Sequence, residues 1–244
     1  MTREAMTHFS RILDREMHLM IYGQGGLPML CFPTQNSMCR NYEDFGMIDN
    51  LADYIDSGRI QLFVVDTVDA ESWSPKDWGK AFRANRQEQY FHYIADEAVP
   101  LILERTGGRL PMTTGMSMGA NHALICFLRR PDLFSGVLGL SGVYDSDVFF
   151  DGWMNETLYM SSPERFLPNM SEHHPYVKLY NEKSIILCVG QGAWEKDGVR
   201  SLRFLESVFR DKGINAWCDY WGWDVNHDWP WWVKQMGYFL PIIL

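Results

Sequence analysis

The run Gly115-Met116-Ser117-Met118-Gly119 constrains this chain more than any other stretch. A short apolar segment, Pro111 to Thr114, leads into it, and a helix-forming segment, Ala120 to Arg130, follows at once. Strand, tight turn and helix with a serine at the apex form the arrangement called a nucleophile elbow. The turn forces the serine into a strained backbone conformation, so the residues two before and two after it must be small. Gly115 and Gly119 meet that demand, because a Cβ at either place would collide with the neighbouring strand or helix. The string alone recurs by chance in roughly one chain in ten of this length, so its weight depends on what the remaining residues supply.

Around the elbow, apolar runs of strand length alternate with helical periods. Met29 to Phe32, Gln61 to Val65, Gly136 to Leu140, Ser184 to Gly190 and Ala216 to Tyr220 read as strands, and His8 to Tyr22 as an opening hairpin or pair of edge strands. Tyr42 to Ile55 carries Phe45, Ile48, Leu51, Ala52 and Ile55 at the spacing of one helical face. Ser72 to Ala84 reads as a loop or short helix, and Gln87 to Glu104 as a long helix bending near Pro100. Val199 to Lys212 is a helix stopped by Gly213, and Trp229 to Leu240 is the last helix. Strands that are apolar throughout predict an α/β fold, a mostly parallel sheet covered by helices on both faces. Asp145 to Lys183 has no clear period and carries Pro163, Pro168 and Pro175, as expected of a small cap-like insertion over the strand ends. With no linker or repeat, residues 1–244 read as one domain.

Composition narrows the partners. A net charge of −9 with no offsetting Lys/Arg cluster argues against nucleic acid or an anionic membrane surface. No apolar run approaches the ~20 residues of a membrane span, and the first eight residues lack a signal peptide's basic start and apolar core. Five cysteines without C-x-x-C spacing read as reduced core thiols, with neither a disulfide frame nor a metal site. A cytoplasmic location is therefore expected. The oligomeric state has no sequence signal.

A serine hydroxyl needs a general base, a carboxylate to orient that base, and donors for the oxyanion. Each should come from a different strand end, in the chain order Ser, acid, His. His227, in the loop between the last strand and last helix, is where the base should lie; its alternative is a surface histidine capping the helix from Trp229. His173 and His174 fall in the irregular insertion. The loop after Ser184 to Val189 offers Glu195 and Asp197. Glu195 is nearer the strand end, with Gly190 and Gly192 free to turn it inward, while either acid could instead serve a helix N-terminus. The oxyanion donors expected are the N–H of Met118 and one from the loop after Phe32, at Thr34 or Gln35.

With these pieces placed, the chain resembles the putative esterase family of α/β hydrolases, of the esterase D and antigen 85 type. The motifs are Gly115 to Ala120 (GMSMGA), Gly190 to Glu195 (GQGAWE) and His227 to Trp232 (HDWPWW), within about Met29 to Phe239. The resemblance implies an α/β-hydrolase fold, Ser117 as nucleophile and His227 as base. At the acid position the family more often has Asp a short step after the strand, so Glu195 is a departure. The activity implied is cleavage of a small-molecule carboxylic ester or thioester through an acyl-enzyme, without a cofactor or metal. An acyltransferase with the same triad and a non-catalytic binding protein on this fold are the alternatives. Of the ten tryptophans, Trp229, Trp231 and Trp232 are expected to pack the last helix, whereas Trp194 and Trp73, with Met116, are the expected substrate-pocket residues.

Overall fold

The computed structural model describes all residues, Met1 to Leu244. Its centre is one eight-stranded sheet in the order β1-β2-β4-β3-β5-β6-β7-β8. Strands β1 (Arg3–Ser10) and β2 (Arg15–Tyr22) form an antiparallel hairpin at one edge, turning through Asp14 at φ 53°. Strand β2 also runs antiparallel to β4 (Ile60–Val65). Every other pairing is parallel, through β3 (Leu27–Phe32), β5 (Met112–Met116), β6 (Gly136–Leu140), β7 (Ser184–Val189) and β8 (Trp217–Tyr220).

The central strands are apolar throughout because both faces are covered, and the period of two sorts their side chains between two cores. Leu30, Phe32, Phe63, Val65, Leu187 and Val189 enter one core. That face is covered by α4 (Lys80–Tyr93), α5 (Val99–Thr106), α6 (Met118–Arg129) and α11 (Lys196–Asp211). Met29, Cys31, Leu62, Val64, Met116, Leu140 and Cys188 enter the other, under α1 (Asn41–Asp44), α2 (Met47–Asn50), α3 (Ala52–Asp56) and α12 (Trp229–Ile243).

Local backbone chemistry breaks the longer helical periods. Over Tyr42 to Ile55 the chain makes three short helices instead of one, because Gly46 adopts φ 76° between α1 and α2. Ile48, Leu51 and Ile55 still reach the core, and Phe45 stays exposed, stacked on Trp229 with centroids 4.8 Å apart. The long helix before the elbow begins at Lys80, earlier than its apolar period suggests, and is interrupted by a π-turn at Ile94–Ala98. Pro100 follows at the start of α5, where its missing N–H and its ring disturb the preceding turn. Residues 145–183 are more regular than expected: α7 (Asp147–Phe150), α8 (Glu156–Met160), α9 (Pro163–Asn169) and α10 (Pro175–Asn181) fold there. Pro163 and Pro175 open two of these helices, and Asn155 caps a third by accepting Leu158 N–H at 2.8 Å. No helix is long and apolar enough to cross a membrane.

Candidate active site

Ser117 stands between β5 and α6 with φ 56° and ψ −123°, a conformation ordinary residues avoid. The turn is held by a bond from Ser117 N–H to Leu140 O, 2.9 Å, and by the absence of side chains around it. A Cβ on Gly115 would lie 2.3 Å from Gly119 C, and one on Gly119 would lie 2.2 Å from Phe32 O. The two glycines therefore do different work. Gly115 lets α6 begin against its own strand, and Gly119 lets that helix press onto the end of β3.

Three side chains from three strand ends meet at this turn. His227 Nε2 lies 2.8 Å from Ser117 Oγ, and His227 Nδ1 lies 3.0 Å from Glu195 Oε2. Glu195 is fully buried while Ser117 and His227 remain partly exposed, so the serine end of this chain of three is open to solvent and the carboxylate end is dry. Asp197, the other candidate acid, points outward and pairs with Arg200 at 3.2 Å. His227 does not cap the last helix; Asp228 does, accepting Trp229 N–H at 2.7 Å.

The loops carrying Glu195 and His227 are locked together. His227 N–H donates to Ala193 O at 3.0 Å, and Ala193 N–H donates to Asn226 Oδ1 at 2.7 Å. Gly190 and Gly192 permit this, since their Cβ atoms would fall 2.2 Å from Val225 O and 2.3 Å from Asn226 Oδ1. Two further residues complete the surroundings of the acid: Ser141, which no motif marks, and Trp232, the last residue of the His227 to Trp232 run, there expected only to pack the helix. Ser141, buried just past β6 at φ 52°, donates its hydroxyl to Glu195 Oε1 at 2.5 Å. Trp232 Nε1 donates to Ser141 Oγ at 2.9 Å, and its ring stands edge-on to His227 with centroids 5.0 Å apart. The only sequence signal for Ser141 is its place directly after a strand.

Of the two candidate donors after β3, Thr34 N–H is already given to Asn41 Oδ1 at 3.0 Å, whereas Gln35 N–H has no acceptor in the protein. Met118 N–H is the first of α6, with no preceding turn to receive it. Of Thr34 and Gln35, only Gln35 N–H is left free.

The expected pocket residues part company. Trp194, at φ 67°, is 89% exposed beside Glu195. Trp73 and Met116 do not line an opening. Trp73 is buried, donates Nε1–H to Gln87 Oε1 at 2.8 Å, and packs edge-on against Phe149 and Phe150. Met116 faces the core on the side of the sheet away from α6, because it precedes Ser117 by one residue and strand side chains alternate. His173 is exposed in the loop between α9 and α10, and His174 caps α10 by accepting Tyr176 N–H.

The profile of the family described as Putative esterase matches residues 10–240. Among solved structures, a ferulic acid esterase is similar with a TM-score of 0.75 at 14% identity, over 99% of this chain and 96% of that one. An S-formylglutathione hydrolase from Agrobacterium tumefaciens gives 0.74 at 13% identity, over 98% and 93%. MPT51 of Mycobacterium tuberculosis gives 0.71 at 13% identity, over 100% and 98%. At these identities the likeness is one of fold. A search by sequence among curated proteins finds no match.

Proposed function

The chain belongs to the putative esterase family and is by that membership a carboxylesterase-type hydrolase; from that premise we propose that it works through an acyl-enzyme on Ser117 with His227 and Glu195. The observation that carries this reading is the pair of distances about one imidazole, 2.8 Å to Ser117 Oγ and 3.0 Å to Glu195 Oε2. A histidine held at Nδ1 by a carboxylate presents Nε2 as the acceptor, which is the tautomer a general base needs.

Ser117 Oγ attacks the ester carbonyl as His227 Nε2 takes its proton. Met118 N–H and Gln35 N–H stabilise the oxyanion, acting where charge develops and needing no side chain. The tetrahedral intermediate collapses when His227 returns the proton to the leaving alcohol or thiol. Water, activated by the same imidazole, then releases the acid. Glu195 orients the imidazole and stabilises the imidazolium that forms twice per cycle. Trp194 stands at the open rim on the loop that holds the acid, where an aryl or other flat apolar part of a substrate can lie.

Labelling with a fluorophosphonate, followed by peptide mapping, tests the nucleophile. The expected result is one adduct, at Ser117, together with turnover of p-nitrophenyl acetate that Ser117→Ala removes. The ferulate ester and glutathione thioester suggested by two of the structural relatives extend the panel. Wild-type turnover that persists in Ser117→Ala would overturn the reading.

A further inference from the structure

Helix α6 carries a histidine that the chemistry at Ser117 does not use. His122 is completely buried among aromatic rings, with Phe32, Tyr90 and Trp73 centroids at 5.9, 5.0 and 6.4 Å. Its one polar partner is Asp69, 2.7 Å from Nε2 to Oδ1, and Nδ1 has none. Both side chains are at 0% exposure. Placing a carboxylate there is costly unless its lone pairs are used.

The second oxygen of Asp69 is used. Oδ2 accepts the N–H of Asn36, 3.2 Å away, in the loop after β3. Asn36 sits at φ 60° and directly follows Gln35. The same stretch is tied to the Asp69 segment twice more, by Ser74 Oγ to Asn36 Oδ1 at 2.7 Å and by Gln35 Nε2 to Ser74 Oγ at 2.8 Å. Ser74 N–H in turn donates to Asp69 O at 2.9 Å. One buried carboxylate thus joins the nucleophile's helix, through His122, to the loop that presents the free Gln35 N–H.

This linkage has a chemical use. Oxyanion donors are effective only when fixed about 2.7–3.1 Å from the charge that develops. Met118 N–H is fixed by α6, but Gln35 N–H lies in a loop with no ladder to hold it, so the loop must be referenced to α6 by other means. We infer that Asp69, oriented by His122, is a positioning residue for oxyanion stabilisation, which rests on Ser117 being the nucleophile. The buried pair holds Asn36, and with it Gln35 N–H, in register with Met118 N–H.

The test compares Asp69→Asn, His122→Phe and His122→Gln with wild type. Glutamine can bring its amide Nε2–H to the place of imidazole Nε2–H, so it keeps the donor to Asp69, whereas phenylalanine keeps only the ring. The readouts are p-nitrophenyl acetate kinetics, affinity for an arylboronic acid that forms a tetrahedral adduct on the serine, and hydrogen exchange over residues 33–38. Asp69→Asn and His122→Phe should lower kcat and boronate affinity together by about 10- to 100-fold, with KM within about twofold and faster exchange over 33–38. His122→Gln should recover most of each. Equal losses in His122→Gln and His122→Phe overturn the inference, as does unchanged boronate affinity or unchanged exchange in Asp69→Asn. If Asp69→Asn does not fold, the two His122 variants carry the comparison. Failure of the Ser117 reading shows in the wild type as turnover without a Ser117 adduct, and exchange over 33–38 still decides whether Asp69 holds the loop.

Discussion

Ser141 Oγ donates to Glu195 Oε1 across 2.5 Å, and that bond sets the geometry of the orienting acid. Glu195 has no exposure, so its oxygens depend on protein donors. His227 takes one, Ser141 takes the other, and Trp232 donates to Ser141 in turn. With Oε1 held, Oε2 is aimed at His227 Nδ1 and the carboxylate cannot rotate away.

Ser141→Ala should therefore act through Glu195. The lost hydroxyl leaves a buried carboxylate oxygen unpaired, which costs about 1–3 kcal/mol. Expected outcomes are a Tm lowered by several degrees and a kcat lowered about tenfold or more. Trp232→Phe, which removes the indole N–H and leaves a smaller aromatic ring in the core, should lower kcat to a smaller extent and also lower Tm. Steady-state kinetics and thermal melts of both variants check the order.

Glu195, which precedes α11, and Asp197, in its first turn, should differ sharply. Glu195→Gln removes the charge that stabilises the imidazolium, and by analogy with other triads kcat should fall by about 10⁴. Asp197→Asn disturbs only an exposed pair with Arg200, so kcat should stay within about twofold of wild type. Comparable losses in the two variants would contradict the assignment of Glu195.

Neither elbow glycine should accept alanine. The Cβ would meet backbone atoms at 2.2–2.3 Å, which no rotamer change can relieve, so the cost should exceed the ~1–3 kcal/mol of ordinary overpacking. Gly115→Ala and Gly119→Ala should show low soluble yield or sharply lowered Tm, measured against Gly46→Ala. That site has no atom within 4 Å, leaving only the strain of φ 76°.

Trp194→Gly should separate stability from substrate use. The side chain is almost wholly exposed and the backbone has φ 67°, so nothing packed is lost and strain of about 1 kcal/mol is relieved. Tm should hold or rise slightly. KM for a bulky aryl ester should rise several-fold while KM for p-nitrophenyl acetate changes little; equal KM values for both would remove Trp194 from the rim.

The thiols should be silent near neutral pH and matter in alkali. Burial pushes the Cys126 thiol up to about 12, and burial, with Asp66 nearby, does the same for Cys39. Between about pH 8.5, where an unfolded thiol ionises, and pH 12, the unfolded chain holds fewer protons than the folded one. The free energy of unfolding therefore falls as pH rises through that window. DTNB at pH 8 should titrate none of the buried thiols until denaturant is added, and urea midpoints should decline above about pH 9.

Much of this was legible in one dimension. Apolar runs such as Ser184 to Val189 predict strands buried on both faces, and G-x-S-x-G between a strand and a helix predicts the tight turn at Ser117, found at φ 56°. His227 is legible for the same reason, since a loop between the last strand and last helix must open at the carboxyl edge. Glu195 and Asp197 are two residues apart, and only the interlock of Gly190 and Gly192 with the 222–228 loop turns the first inward and leaves the second outside. Thr34 and Gln35 were equivalent until Asn41 took the N–H of Thr34. Trp73 reads as a residue able to reach the cleft, but three rings and Gln87 bury it.

The sequence by itself determined the sheet, the place of the elbow and the chain order of serine, acid and histidine. These follow from side-chain period and from backbone conformations that only glycine or strained residues adopt, which are local properties. Tertiary structure alone decided which carboxylate faces the histidine, which backbone N–H is left free, and that Asp69 meets His122 of α6. Each of those is a contact between distant segments, fixed by which polar groups must find partners once water is excluded, and no local pattern records it.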